Sequence, residues 1–144
     1  MSQLTLQQAN AIIERALARA GEMNVPPLTV VVLDDSGNVM AAQRQDGASM
    51  FRFDVALGKA WASVAMGAPS RVLAQRAKDN PNFFVTLAAT AHGKFLPQPG
   101  GVLIRDAAGV IVGAAGASGG TGDEDEDACA FGVAQAGLVA EPKG

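Results

Sequence analysis

The side chains in this sequence that could do chemistry near neutral pH are few, and they gather at four places. His92 is the one imidazole, within Ala91-His92-Gly93-Lys94-Phe95-Leu96-Pro97. It could ligate iron or move a proton, or simply hydrogen-bond on a surface loop. Arg44-Gln45-Asp46-Gly47-Ala48 sets a guanidinium two residues from a carboxylate, and Lys59 follows in the next apolar segment. Arg44 and Lys59 on opposite walls of one pocket would hold a carboxylate, with His92 or Asp46 as the available general base. The plainer alternative is surface charge at a turn.

The third place is Gly113-Ala114-Ala115-Gly116-Ala117-Ser118-Gly119-Gly120-Thr121-Gly122. Read as a strand-to-helix turn, its backbone N–H groups could face a ligand bordered by Ser118, Gly119, Gly120 and Thr121. It lacks the Lys-Ser/Thr ending of a P-loop and the G-x-G-x-x-G spacing. Asp123 to Asp127, five consecutive acids, would repel a phosphate; the competing reading is close packing and a tight helix entry. Those acids suit the first turn of a helix, where the macrodipole favours negative charge. A calcium loop from Asp123 would need Gly sixth and Glu twelfth, and Ala128 and Ala134 stand there, so no metal site is expected. Cys129, the fourth place, reads as a buried, inert thiol.

These groups need elements to hold them. Thr5-Leu6-Gln7-Gln8 is a capping-box start, and the apolar stripe after it predicts a helix from Thr5 to Ala20, stopped by Gly21 and Pro26-Pro27. Leu28–Leu33 and Val39–Ala42 flank Asp34-Asp35-Ser36-Gly37; Val102–Arg105 and Val110–Gly113 flank Asp106-Ala107-Ala108-Gly109. Both predict β-hairpins of one design. Between them, Phe51–Met66 predicts a helix with Phe51, Val55, Gly58, Ala62 and Ala65 as its stripe, and Ser70 caps a shorter helix to Lys78. Phe83–Leu87 reads as a fifth strand, Asp123–Ala136 as the last helix, and Glu141 to Gly144 as a frayed tail. Hairpins with helices between them predict an α+β domain.

The chain has 144 residues, of which 28 are Ala and 17 Gly, enough for a single domain spanning residues 1–144. Hydrophobic residues at 49% and charged ones at 17% exclude a disordered chain. One Cys excludes an internal disulfide framework. Net charge is −3, and +2 without the acidic run, so no basic footprint for nucleic acid exists. The sequence shows no leader pattern and no membrane-length apolar run, and a cytoplasmic location is expected.

The order and spacing of these pieces resemble the GlcG/HbpS family, which includes the C-terminal domain of PduO-type proteins. The resemblance is carried by Val32-Leu33-Asp34 through Arg44-Gln45-Asp46-Gly47-Ala48, by Lys59-Ala60, and by Pro69. It continues through Gly100-Gly101-Val102-Leu103-Ile104 and ends in Gly113–Gly120 followed by Asp125-Glu126. It implies a profilin-like five-stranded antiparallel sheet, two hairpins plus one strand, flanked by helices. It also implies homo-oligomers with ligand sites near subunit contacts, sometimes beside catabolic enzymes. Some members bind haem or a corrinoid and some degrade haem. Members that ligate haem through histidine carry it toward the first helix, where this chain has none. The expectation is a small-molecule-binding homo-oligomer with haem or a related tetrapyrrole as ligand, held by Arg44, Lys59, His92, Ser118, Gly119, Gly120 and Thr121. The alternative is a cofactor-independent enzyme acting on a small carbonyl or hydroxy acid.

Overall fold

A computed structural model describes residues 3–143. The elements run α1 (Leu6–Glu22), β1 (Thr29–Asp34), β2 (Val39–Arg44), α2 (Phe51–Met66) and α3 (Ser70–Asp79). They continue as α4 (Pro81–Thr90), β3 (Gly101–Arg105), β4 (Ile111–Ser118), α5 (Gly122–Gln135) and β5 (Val139–Glu141).

Both hairpins form as the sequence predicts. Asp34 Oδ1 accepts the N–H groups of Ser36 and Asn38, and Asp106 Oδ1 accepts those of Ala108 and Val110. Gly37 and Gly109, with φ of +81° and +87°, complete the two turns. The sheet order is β2-β1-β4-β3-β5 with every pair antiparallel, so the first strands of the two hairpins flank β4 at the centre. This is the expected α+β architecture with a five-stranded antiparallel sheet.

The sheet is buried on both faces. Val30, Val32, Val102, Ile104, Ala115 and Ala117 pack beneath α1 and α5, while Val31, Leu33 and Ala114 pack against Ala56 and Ala60 of α2. Double burial explains why Val30–Leu33 is continuously apolar instead of alternating. It also corrects the reading of the Gly-rich run, most of which is strand. Residues Gly113 to Ser118 belong to β4, and their small side chains let helices approach from both sides. A Cβ on Gly116 would fall on the Ala56 carbonyl oxygen, and one on Gly132 would fall on that of Ile12.

Four other expectations change. Phe83–Leu87 is the middle of helix α4 rather than a strand, with Pro81 in its first turn. Phe84 and Leu87 turn inward to Phe95 and Leu73 while Phe83 and Val85 face out, a helical spacing that no slot in the sheet competes for. The fifth strand is instead Val139–Glu141, which pairs with the edge of β3 and holds Glu141 to Arg105 at 2.7 Å; Gly144 lies outside the described residues. The inward side of α2 is Ala56, Lys59, Ala60 and Ser63 as well as Gly58 and Ala62, and Phe51 is exposed. Helix α1 passes through Gly21; Asn24, at φ +58°, makes the left-handed stop, with the Val25 N–H bonded to the Ala20 carbonyl.

Since the atom opposite Gly116 is backbone, it cannot swing away. Gly116→Ala should cost at least about 1–3 kcal/mol, read as a lower midpoint in urea unfolding.

Candidate functional site

Lys59 lies in the buried stripe of α2, 5% exposed. Its Nζ donates to the Ala117 carbonyl at 3.0 Å and to Asp125 Oδ2 at 3.1 Å. Asp125 is as deeply buried, and its Oδ1 accepts the Gly120 N–H at 3.0 Å. One carboxylate thus ties α2, the end of β4 and α5 together. Burial pushes the Asp125 carboxyl above its ordinary range, while Lys59, the Gly120 N–H and Arg52 pull it back. Room for the lysine comes from Gly100 and Gly101: a Cβ on the first would stand 2.7 Å from Lys59 Nζ, and one on the second 2.6 Å from its carbonyl oxygen.

Beside this pair opens a cavity of about 350 Å³, walled by Arg52, Val55, Lys59, Pro99, Ser118 and Thr121. Arg52 Nη1 donates to Ser118 Oγ at 3.2 Å. Thr121 and Glu124 form a second capping box, each side chain accepting the other's N–H. Arg71 of α3 clamps Asp123 and Glu126. The donors of Gly120, Thr121 and Glu124 are therefore all used internally. That supports the reading of this turn as a tight helix entry.

Of the residues singled out in the sequence, Lys59, Ser118, Gly120 and Thr121 line this cavity together. Gly119, at φ +154°, turns the chain behind it against Pro27 and Leu28. Arg44 and Asp46 line a different cavity with Val25 and Pro27, and Arg44 Nη1 donates to the Ala48 carbonyl at 2.8 Å. Arg44 and Lys59 thus do not face one another across a single pocket. His92 is exposed in the loop after α4. At φ +56° it ends that helix, with the Gly93 N–H bonded to the Ala88 carbonyl, so its backbone has a structural task. Of the candidate bases and cations, Asp46 and Arg44 share a cavity, while His92 and Lys59 lie apart from them and from each other. Ser70, read as a cap, is buried, and its hydroxyl exchanges hydrogen bonds with both backbone groups of Gly101.

Arg52 was not singled out, and Asp125 was named only within the acidic run and the family motif, though it left a further signal. A lysine within the Ala/Gly/Ser stripe of α2 demands a buried counter-charge, and the acidic run offers one. Thr121-Gly122-Asp123-Glu124 repeats the capping-box signature of Thr5-Leu6-Gln7-Gln8.

An open antiparallel sheet with helices on both faces, and a buried lysine–aspartate pair closing the end of its central strand, defines a class of small α+β domains. The sequence matches the haem-degrading protein HbpS-like family over residues 4–134, and the chain belongs to that family. It resembles an uncharacterised 15.0 kDa protein from the dhaT-dhaS intergenic region of Citrobacter freundii, 29% identical over 85% of this chain and 84% of the relative. It is 28% identical to the corrinoid adenosyltransferase PduO of the same organism over 86% of this chain, but spans only 36% of that longer protein. Among solved structures, a PduOC:heme complex superposes with a TM-score of 0.84 at 25% identity, covering 95% of this chain and 97% of the other. Streptomyces reticuli HbpS superposes at 0.80 with 29% identity over 93% of this chain and 87% of the other.

Asp125→Ala would strand a buried ammonium and should destabilise by about 3–5 kcal/mol. Lys59→Met combined with Asp125→Leu should recover most of that in urea unfolding, since no charge remains uncompensated. Complete burial pushes the Cys129 thiol up. It should stay unreactive to a thiol-specific reagent in the native protein and react stoichiometrically once denatured.

Proposed function

We propose that this protein binds haem or a related tetrapyrrole at the cavity beside Lys59, holding the ligand by a carboxylate. The observation that carries this reading is the close superposition on the PduOC:heme complex. The chemistry of the cavity supports half of what haem requires. Arg52 supplies a guanidinium for a propionate. Phe51 and Val55, one helical turn apart, present an apolar ridge at the mouth for the face of a macrocycle, with Met50 exposed beside them.

Iron coordination does not fit. No His, Cys or Met lines the cavity among the described residues, His92 is exposed on another loop, and Cys129 is fully buried. The ligand is therefore anchored here through its carboxylates, and Lys59 serves by holding Ser118 to Asp125 in place rather than by direct contact. Ser118, Gly120 and Thr121 border the ligand, Gly119 turns the chain behind them, and Arg44 and His92, which lie elsewhere, do not reach it. The solvent-facing Met50, Phe51 and Val85 fit burial against a second copy, giving a homo-oligomer with its ligand sites near the subunit contact. An enzyme acting on a small hydroxy acid is the weaker reading, because of its four candidate groups only Asp46 and Arg44 share a cavity, and the Arg44 guanidinium is engaged with the Ala48 carbonyl.

Titration with hemin should give a saturable Soret shift. Arg52→Ala should weaken it about tenfold, as expected for loss of a charge-assisted hydrogen bond, and His92→Ala should leave both spectrum and affinity unchanged. A featureless titration would overturn the proposal, and light scattering at the same concentrations would read the assembly state.

A further inference from the structure

Resting on the reading that this cavity takes a carboxylate-bearing molecule, we infer that Thr29, Ser118 and Arg52 form its carboxylate seat, with Thr29 the residue that sets specificity. Thr29 is completely buried, and its Oγ1 is, among the described residues, the one buried side-chain polar atom without a hydrogen-bond partner. Buried hydroxyls are nearly always paired, and one that is not calls for an explanation. A valine would fill the same volume without an unsatisfied group.

The sheet register says which side of the sheet Thr29 lies on; the side chain is completely covered and reaches the cavity only through the Ser118 and Arg52 that wall it. Thr29 stands opposite Arg44 of β2 on one side and Ser118 of β4 on the other. Directly opposed residues share a face of a sheet. Thr29 alternates in step with Val31 and Leu33, so this row lies on the α2 side. There Arg52 reaches down from α2 to Ser118 Oγ, in the wall of the cavity.

The local charge is unbalanced in the same sense. Arg19, Arg71 and Arg105 each pair with a carboxylate, whereas the hydrogen bonds of Arg44 and Arg52 go to neutral oxygens, the Ala48 carbonyl and Ser118 Oγ. The nearby acids are already matched: Asp125 is held by Lys59 and Gly120, and Asp123 by Arg71. Arg52 therefore reaches the strand beside this hydroxyl with its hydrogen bond on a neutral oxygen, while Arg44 lies in a neighbouring cavity together with Asp46. Ser118 accepts from Arg52 and keeps its own O–H to donate. A ligand carboxylate entering as the exposed Arg52 side chain swings from Ser118 would accept from Thr29, Ser118 and Arg52 together. A carboxylate seated there would give the Thr29 hydroxyl the acceptor it lacks within the protein.

The carboxylate could belong to a free small acid or to a porphyrin side chain, and two probes separate these. Sodium propionate, followed by backbone-amide NMR, should shift the amides of Ser118 to Thr121 saturably in the wild type. Thr29→Val should weaken propionate binding at least about tenfold while raising the thermal midpoint, and Thr29→Ser should retain binding. Thr29→Ala provides the same test of affinity if the valine variant folds poorly. A Thr29→Val protein that is more stable yet binds propionate unchanged would make the hydroxyl a packing defect and overturn the seat. Hemin that binds while propionate gives no shift would also overturn the seat and leave the haem reading standing. Propionate that binds while hemin does not would keep the seat and remove haem.

Discussion

An ammonium group taken out of water loses several kcal/mol of hydration, and it stays charged in a protein only where fixed partners replace that water. Lys59 meets this condition with one carbonyl and one carboxylate, and each belongs to a different element. The Ala117 carbonyl is near the end of the central strand, and Asp125 sits in the first turns of α5. Because Asp125 also accepts the Gly120 N–H, the turn between strand and helix cannot move without disturbing the pair. The shape of the cavity follows from this one buried charge. Ser118 and Thr121 stand where they do because the chain between them is pinned from below.

Such a pair is possible only because the surroundings are made of very small residues. Helix α2 lies close enough to β4 for Lys59 to reach Ala117 because Gly116 presents no side chain to Ala56. On the opposite face Gly132 allows α5 to settle on α1, which fixes where the first turns of α5 emerge. The abundance of Ala and Gly thus has a positional meaning: it concentrates at helix–sheet and helix–helix crossings whose separation decides whether charged groups on different elements meet. Larger side chains would give a more ordinary core and would separate Lys59 from its partner.

Periodicity and turn chemistry reveal most of this architecture. Thr5 with Gln8 and the paired Asp-x-x-Gly turns are short-range signals, and the backbone obeys them. The misread segments are those where local preference and tertiary context diverge. Phe83-Phe84-Val85 is rich in strand formers, yet Pro81 and the slot beside Phe95 make it helical. The edge strand at Val139 is only three residues long, too short to have a period. Site residues follow the same division. Of the residues that line the candidate cavity, Ser118, Gly120 and Thr121 were legible because they sit within a compositionally unusual run, and Lys59 because it is a cation in an apolar helical segment. Thr29 was not, since an unremarkable threonine at the start of an apolar strand acquires meaning only when the register sets it between Arg44 and Ser118.

That division bears on what kinship implies for function. The fold is shared with a haem complex at a TM-score of 0.84, but the sequence identity is 25%, low enough for the contacts to a ligand to have been replaced while the backbone persists. Two kinds of interaction hold a haem: bonds to iron, which need a His, Cys or Met at a defined point, and hydrogen bonds to propionates, which need only a cation and hydroxyls at an opening. The first kind is vulnerable to a single substitution. The second kind, in the function proposed for this chain, would rest on the end of the central strand, which Lys59 and Asp125 lock in place. A chain that lost iron coordination would still keep a rigid opening at which a guanidinium and hydroxyls could meet a carboxylate. Ligands without iron would then enter on equal terms with haem, and affinity would depend on the carboxylate end of the molecule more than on its metal.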